Sequence, residues 1–350
     1  MQKSFLLYGA NGYTGELIAR YAMEYDLQPV LAGRNEKLIS ALAAKLNLPY
    51  KVFDLTDTTA LIEALKEVTV VVHAAGPFQF TAKQMVEACL QTGTHYLDIN
   101  GDIAVFEMIK QYDGAAKQAG IMLMPGVGFD VVPTDCLALL LKKLLPDAIK
   151  LQLAFAMQGG GLSHGMATTM ANRLGEGGLI RRNGKLVRIS LGKKGMWVDF
   201  GEKRLFVMSI PWGDISTASF TTGIPNIETY AGVTPKTYRL LKLQPLFNWI
   251  LRTTFMRNLI KNKINSRAPG PSDERRKKAK GYVWGQVTNA EGKTASARLS
   301  GPEGYTITMH STLLITLKVL GGNFTPGYQT PAKVYGEDLV LEIPGVEREL

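Results

Sequence analysis

The run Phe5-Leu6-Leu7-Tyr8-Gly9-Ala10-Asn11-Gly12-Tyr13-Thr14-Gly15-Glu16-Leu17-Ile18-Ala19-Arg20 decides the fold. A short apolar strand stops at a glycine-rich turn, and an amphipathic helical pattern begins directly behind it. The spacing is GxxGxxG rather than GxGxxG. Gly9 permits the tight turn, Gly12 lets the backbone approach a pyrophosphate, and Gly15 lets the helix pack close to the strand. Asn11, Tyr13 and Thr14 complete the loop, and the helix N-terminus presents free N–H groups to an anion. A glycine turn with a structural role alone is the other reading. The place of the loop, after the first strand and ahead of a βαβ series, favours the dinucleotide.

Downstream, short apolar runs alternate with helix-length amphipathic stretches. Ser4–Tyr8, Pro29–Ala32, Tyr50–Phe53, Val68–His73, Thr94–Leu97 and Ile121–Met124 read as strands, and the stretches between them as helices. That alternation predicts an α/β fold, a Rossmann-type doubly wound parallel sheet with right-handed crossovers. After Pro146 the texture changes to alternating segments broken by Gly-rich turns, including Gly159-Gly160-Gly161 and Gly177-Gly178. The segments are Lys150–Ala156, Lys185–Leu191, Met196–Phe200, Leu205–Ile210, Gly281–Thr288 and Ala295–Gly301. This predicts a second, mixed α/β domain on a largely antiparallel sheet. The expected division is 1–145 for the dinucleotide-binding domain and 146–302 for a substrate and dimerisation domain. The segment 303–350, with a helix at Tyr305–Leu320, is expected to return to the first domain.

At the end of the second strand, where a ribose-binding carboxylate would indicate NAD, the chain has Leu31-Ala32-Gly33-Arg34-Asn35. A guanidinium there suits the 2′-phosphate of NADP(H), with charge-assisted contacts and stacking on the adenine. Were Arg34 merely solvating a helix start, it would be a cation at the unfavourable end of the dipole. Asp54, ending the third strand, is open between a contact to the adenine amino group and a plain helix-entry turn.

With these residues in view, the chain resembles the saccharopine dehydrogenase-like oxidoreductases, a family that includes trans-acting enoyl reductases and a lipid-associated branch. The carriers are the loop Gly9 to Gly15, Ala32-Gly33-Arg34 and Val71-Val72-His73-Ala74-Ala75-Gly76-Pro77-Phe78. His95-Tyr96-Leu97-Asp98, the stretch Gly126 to Asp135 and Thr325-Pro326-Gly327 add to them. The resemblance implies an NADP(H)-dependent oxidoreductase acting on an acyl or lipid-like C=C bond or on an amino-acid imine. A non-catalytic NADP(H)-binding sensor or scaffold is the reading from another class. Physically, Ala74, Ala75, Gly76 and Pro77 lie just past the fourth strand, where small residues let the nicotinamide half pass close to the backbone. Tyr96 and Asp98 end the fifth strand, and Phe129 and Asp130 follow the sixth. Either these line a nicotinamide pocket, or Asp98 and Asp130 cap helices and Tyr96 is core.

A hydride reductase also requires a proton source. Asp130, Tyr96 and His164 are the candidates, His164 from a loop after Gly159-Gly160-Gly161 that could face the cofactor. His73 departs from the small polar residue expected before Ala-Gly-Pro-Phe, and His310 reads as core on a helix. No His or Cys spacing suits a metal, so none is expected. An imine reductase would want cations for substrate carboxylates, for which Arg173, Arg181 and Arg182 are the candidates.

The two cysteines, Cys89 and Cys136, cannot form a disulfide framework, and no stretch of about 18 apolar residues predicts a membrane span. With no secretion signal, a cytoplasmic setting is expected. The net charge of +10 is local: between Thr229 and Lys280 stand 13 Lys and Arg against Asp273 and Glu274. A basic segment at about 235–280, with helices expected at Lys236–Leu243 and Leu246–Ile264, carries Trp249 and Phe255 among its cations. It suits peripheral contact with the anionic inner face of a membrane, or packing on its own domain or a homodimer partner. No motif supports nucleic acid as a partner.

Overall fold

The computed structural model describes residues 3–161, 163–172, 177–242 and 269–350, with Trp249, Thr253 and Met256 between them. β1 (Lys3–Tyr8) runs into α1 (Tyr13–Tyr21). The alternation continues through β2 (Leu27–Gly33), α2 (Glu36–Leu46), β3 (Tyr50–Val52), α3 (Thr58–Lys66), β4 (Val70–His73) and α4 (Phe78–Thr92). It ends with β5 (His95–Asp98), α5 (Ile103–Lys110), α6 (Asp113–Gln118) and β6 (Met122–Met124). All six expected strands are present. Local chemistry sets the helix ends: the side chains of Asn35, Asp57 and Asp102 accept from Leu38, Ala60 and Ala104 N–H at the starts of α2, α3 and α5.

α7 (Val132–Leu144) leads to β7 (Lys150–Gln158), α8 (His164–Asn172), β8 (Gly178–Arg182), β9 (Lys185–Ile189), β10 (Gly195–Asp199) and β11 (Arg204–Ile210). Then come α9 (Asp214–Thr222), β12 (Asn226–Gly232), α10 (Pro235–Lys242), α11 (Asp273–Lys278), β13 (Lys280–Thr288) and β14 (Thr294–Pro302). The chain closes with α12 (Gly304–Leu320), β15 (Gly327–Tyr328), α13 (Pro331–Tyr335) and β16 (Glu347–Glu349).

Two units result, Met1–Val132 with Tyr305–Tyr335, and Pro133–Gly304 with Gly336–Leu350. The packing break lies ahead of the change in sequence texture, because α7 turns Leu137 and Leu141 onto Gly285 of β13. Among the described residues the first unit's sheet has the order β15-β6-β5-β4-β1-β2-β3, and every pairing is parallel. This is the doubly wound parallel sheet expected, with β15 added beside β6. Phe5, Leu6, Leu7, Val71, Val72 and Leu97 are fully buried, which is why these strands read as continuous apolar runs rather than alternating ones.

The second unit's sheet follows β10-β11-β12-β7-β13-β14-β16, with β8 on β12 and β9 on β8. Its pairs are antiparallel except β12 with β7. Two readings change here. Gly178, read as part of a turn, begins β8. His164, read as a loop residue, begins α8, because the Ser163 hydroxyl accepts from Met166 N–H and caps the helix. Of the basic segment, α10 forms as expected, while the helix expected at Leu246–Ile264 lies outside the described residues apart from Trp249, Thr253 and Met256.

Candidate functional site

The strand order reverses between β1 and β4, and that crevice is where doubly wound sheets take ligands. The glycine loop sits in it. Gly9 N–H donates to Ala32 O at 2.7 Å, Gly12 N–H to Gly9 O at 3.0 Å, and Glu16 N–H to Gly12 O at 2.8 Å. Gly9 has φ +88°, and a methyl there would stand 2.7 Å from the Ala75 nitrogen; one at Gly15 would stand 2.3 Å from the Gly9 oxygen. The loop is thus a cradle with no room for side chains at its two ends, the shape a pyrophosphate on the α1 N-terminus needs. Gly15→Ala is expected to cost about 1–3 kcal/mol of stability through overpacking. Melting with and without NADPH checks it: the variant's midpoint should fall and no longer respond to NADPH.

Arg34 follows β2 on the same edge. Its side chain is exposed and has no ion pair among the described residues. Asp54 is held in a helix-entry turn, its Oδ1 accepting from Thr56 N–H at 2.9 Å and Thr56 hydroxyl at 2.8 Å. Those two bonds, with the Arg34 charge behind them, hold its carboxyl below the usual range. Arg34 acts on Tyr8 as well, opposing the burial that pushes that phenol up to about 12. Arg34 is thus an exposed cation without an ion pair among the described residues, and its charge acts on both Asp54 and Tyr8; a guanidinium of this kind suits a phosphate.

At the other end lie the loops after β4, β5 and β6. Asp98 ties two of them together. Its carboxylate accepts from Tyr96 hydroxyl at 2.6 Å, Asn100 N–H at 2.9 Å and Gly126 N–H at 2.8 Å, while its carbonyl accepts from Val127 N–H at 2.8 Å. Burial raises its pKa to about 6, and the three hydrogen bonds oppose the rise. Tyr96 is fully buried, its hydroxyl is committed to Asp98, and burial drives its pKa well up. Both residues are fully buried, and Asp98 joins the loops after β5 and β6. Asp98→Ala would strand three donors and is expected to destabilise the protein by about 3 kcal/mol or more, measurable by urea unfolding.

Asp130 differs from Asp98. Its carboxylate lies against Gly101, where a methyl would stand 2.2 Å from Oδ2. It has no hydrogen-bond partner among the described residues, and burial alone raises its pKa to about 7. Burial thus favours its protonated form.

The C-terminal return supplies residues that the sequence pattern did not mark. Tyr305 of α12 meets Tyr13 of the glycine loop edge-on at 5.0 Å, Thr308 hydroxyl accepts from Phe129 N–H at 3.0 Å, and Ser311 hydroxyl donates to Val127 O at 2.6 Å. His310 joins Tyr25 hydroxyl at 2.7 Å. Polar residues at short intervals in an otherwise apolar helix were the available signal. The remaining candidates within the described residues belong to the second unit. His164 is exposed at the start of α8 in the second unit. Arg181 donates to the carbonyls of Ile215 at 2.7 Å and Gly184 at 2.7 Å, Arg182 is exposed, and Arg173 lies outside the described residues. Among the described residues no cluster suits a metal ion, and no helix is long and apolar enough to cross a membrane.

Residues 5–124 match the saccharopine dehydrogenase NADP binding domain. A saccharopine dehydrogenase-like oxidoreductase of Bos taurus is 29% identical over 150 residues, 37% of this chain and 35% of that protein. A lipid droplet localized protein of Caenorhabditis elegans is 29% identical over 152 residues, 39% of this chain and 36% of that one. A trans-acting enoyl reductase of Mycobacterium ulcerans is 29% identical over 138 residues, 37% and 33% of the two. The matches thus span about a third of those relatives. Saccharopine dehydrogenase (L-Glu forming) of Saccharomyces cerevisiae, solved in apo form, has TM-score 0.69 over 99% of both chains at 13% identity, a shared fold. The resemblance read from the motifs stands, as does NADP(H) for the N-terminal domain.

Proposed function

We propose that this chain, whose first unit carries a saccharopine dehydrogenase NADP-binding domain, is an NADP(H)-dependent oxidoreductase that reduces a C=C bond of an acyl or lipid-like substrate. The observation that supports the reading of an enzyme is Asp130, a carboxyl on the loop after β6 that lies against Gly101, has no hydrogen-bond partner among the described residues and has its pKa raised by burial. A reductase needs an acid near the acceptor carbon. Bound NADP(H) supplies hydride from nicotinamide C4. The chain's own part is orientation. The Gly9 to Gly15 loop and α1 hold the pyrophosphate, Arg34 holds the 2′-phosphate, the Ala74 to Pro77 loop passes the nicotinamide half, and Asp130 delivers the proton.

Among the described residues, the candidate cations for an amino-acid substrate lend that alternative little support. A substrate with several carboxylates calls for fixed cations, and Arg181 instead serves two backbone carbonyls of its own unit. A trans-acting enoyl reductase stands among the relatives. The test is NADPH oxidation with a panel of enoyl thioesters against 2-oxo acid and amine mixtures. Turnover confined to the second set would replace the acyl reading with the imine one.

Contact with an anionic membrane belongs to the same proposal. None of the residues of α10 is buried, its charged residues Lys236, Arg239 and Lys242 are all cations, and Trp249 beyond it is 73% exposed. Replacing the three cations with alanine is expected to weaken binding to phosphatidylserine vesicles by up to about 3 kcal/mol in a sedimentation assay. Unchanged sedimentation removes the membrane from the account.

A further inference from the structure

His73 ends β4, fully buried, between Tyr8 of β1 and Asp98 of β5 in the sheet register. The rings of Phe78, Tyr8 and Tyr96 enclose it at 5.3, 5.8 and 6.2 Å. Its Nε2 lies 3.0 Å from the Ala75 carbonyl and 3.0 Å from Thr81 Oγ1, and Thr81 hydroxyl also donates to Ala75 O at 2.8 Å. Nδ1 is buried without a partner. A carbonyl only accepts, and a buried orphan N–H costs more than a buried orphan lone pair. The proton therefore sits on Nε2, and the Ala75 carbonyl receives two donors.

This latch has a consequence one bond further on. In the trans peptide between Ala75 and Gly76 the C=O and N–H are antiparallel. Pinning the Ala75 carbonyl under His73 and Thr81 turns the Gly76 N–H away from them, and that N–H has no hydrogen-bond partner among the described residues. Pro77 follows and has no N–H to offer. The same loop meets the cradle, since a methyl on Gly9 would collide with Ala74 and Ala75.

We propose that His73 and Thr81 are positioning residues that hold the Gly76 amide as a hydrogen-bond donor to an oxygen on the nicotinamide half of bound NADP(H). The inference deepens the cofactor reading above and rests on it. It accounts for a histidine at a position where the family resemblance led us to expect a small polar residue: the latch needs a donor that reaches back over the loop. It also separates the two halves of the cofactor, because Arg34 serves the adenosine end.

Titrations with NADPH and with adenosine 2′,5′-bisphosphate, which lacks the nicotinamide half, make the test. His73→Phe keeps the bulk of the ring and removes the donor. It is expected to weaken NADPH by about tenfold while leaving the bisphosphate unchanged, and Thr81→Val should act in the same direction. His73→Gln, whose amide nitrogen reaches as far as Nε2, should restore NADPH affinity. Loss of both ligands in His73→Phe and Thr81→Val alike would mean a structural role only and overturn the inference, as would unchanged NADPH affinity in both. If the wild type bound the bisphosphate and NADPH equally well, the donor would have no oxygen to serve and the inference would fall with the Arg34 reading intact. If the wild type bound neither, the cofactor reading itself would fall.

Discussion

Asp130→Asn should lower turnover in the reductive direction by roughly 10²–10⁴-fold, the usual contribution of a positioned general acid, with NADPH affinity nearly unchanged. The amide keeps the shape of the carboxyl and cannot give up a proton. The wild-type rate should hold below pH 7 and fall above it, since the group deprotonates at about 7; the variant should lose that limb. Stability gives an independent reading of the same group. Its folded pKa is raised above the ordinary carboxyl value by burial, so its contribution to stability is full at pH below about 4 and is lost as pH rises through about 7. Thermal midpoints measured from pH 4 to 9 should therefore decline less steeply in Asp130→Asn than in the wild type. A variant with wild-type turnover would assign the proton to another donor.

Arg34→Ala should weaken NADPH by roughly ten- to a hundredfold, the span of one or two charge-assisted hydrogen bonds, and NADH hardly at all. The guanidinium has no ion pair of its own to lose among the described residues, so the change falls on the ligand rather than on the fold. Fluorescence titration of both nucleotides checks it, and equal loss for both would remove Arg34 from the 2′-phosphate. Because the Asp54 carboxylate is close enough to feel Arg34, its negative charge would stand near that phosphate once Arg34 is gone. The NADPH penalty should accordingly shrink as salt is raised.

The glycine turn and the strand end that carries Arg34 were legible because their determinants are local. Gly9, Gly12 and Gly15 act within one turn, and Arg34 is placed by the strand it follows. The fully buried parallel strands announced themselves as apolar runs. Polar strands did not. β12 carries Glu228, Thr229 and Tyr230; the Tyr230 hydroxyl donates to Glu228 at 2.6 Å, and their other partners, Lys194, the Ile210 carbonyl and Gln152, are brought by the sheet from far along the sequence. The helix at His164 was hidden for another reason, since its cap comes from a serine two residues after a glycine run that reads as loop. The nicotinamide end was half legible. Asp130 was marked by type and place, but its burial and its approach to Gly101 come from tertiary packing. Tyr305 and Thr308 reach Tyr13 and Phe129 from the far end of the chain. No short-range pattern reports such pairings; they follow from where the C-terminal segment returns.

The central claim is hydride transfer from NADP(H), and deuterium tracing tests it most directly. The purified protein would be incubated with NADPH deuterated on either face of C4 together with cell extract separated into lipid and polar fractions, and the label located by mass spectrometry. The account predicts deuterium from one face only, in a reduced acyl or lipid product, and far less of it in the same time once Asp130→Asn replaces the wild type. Confirmed NADPH binding with no deuterium in any product would contradict it and leave a nucleotide-binding sensor in its place.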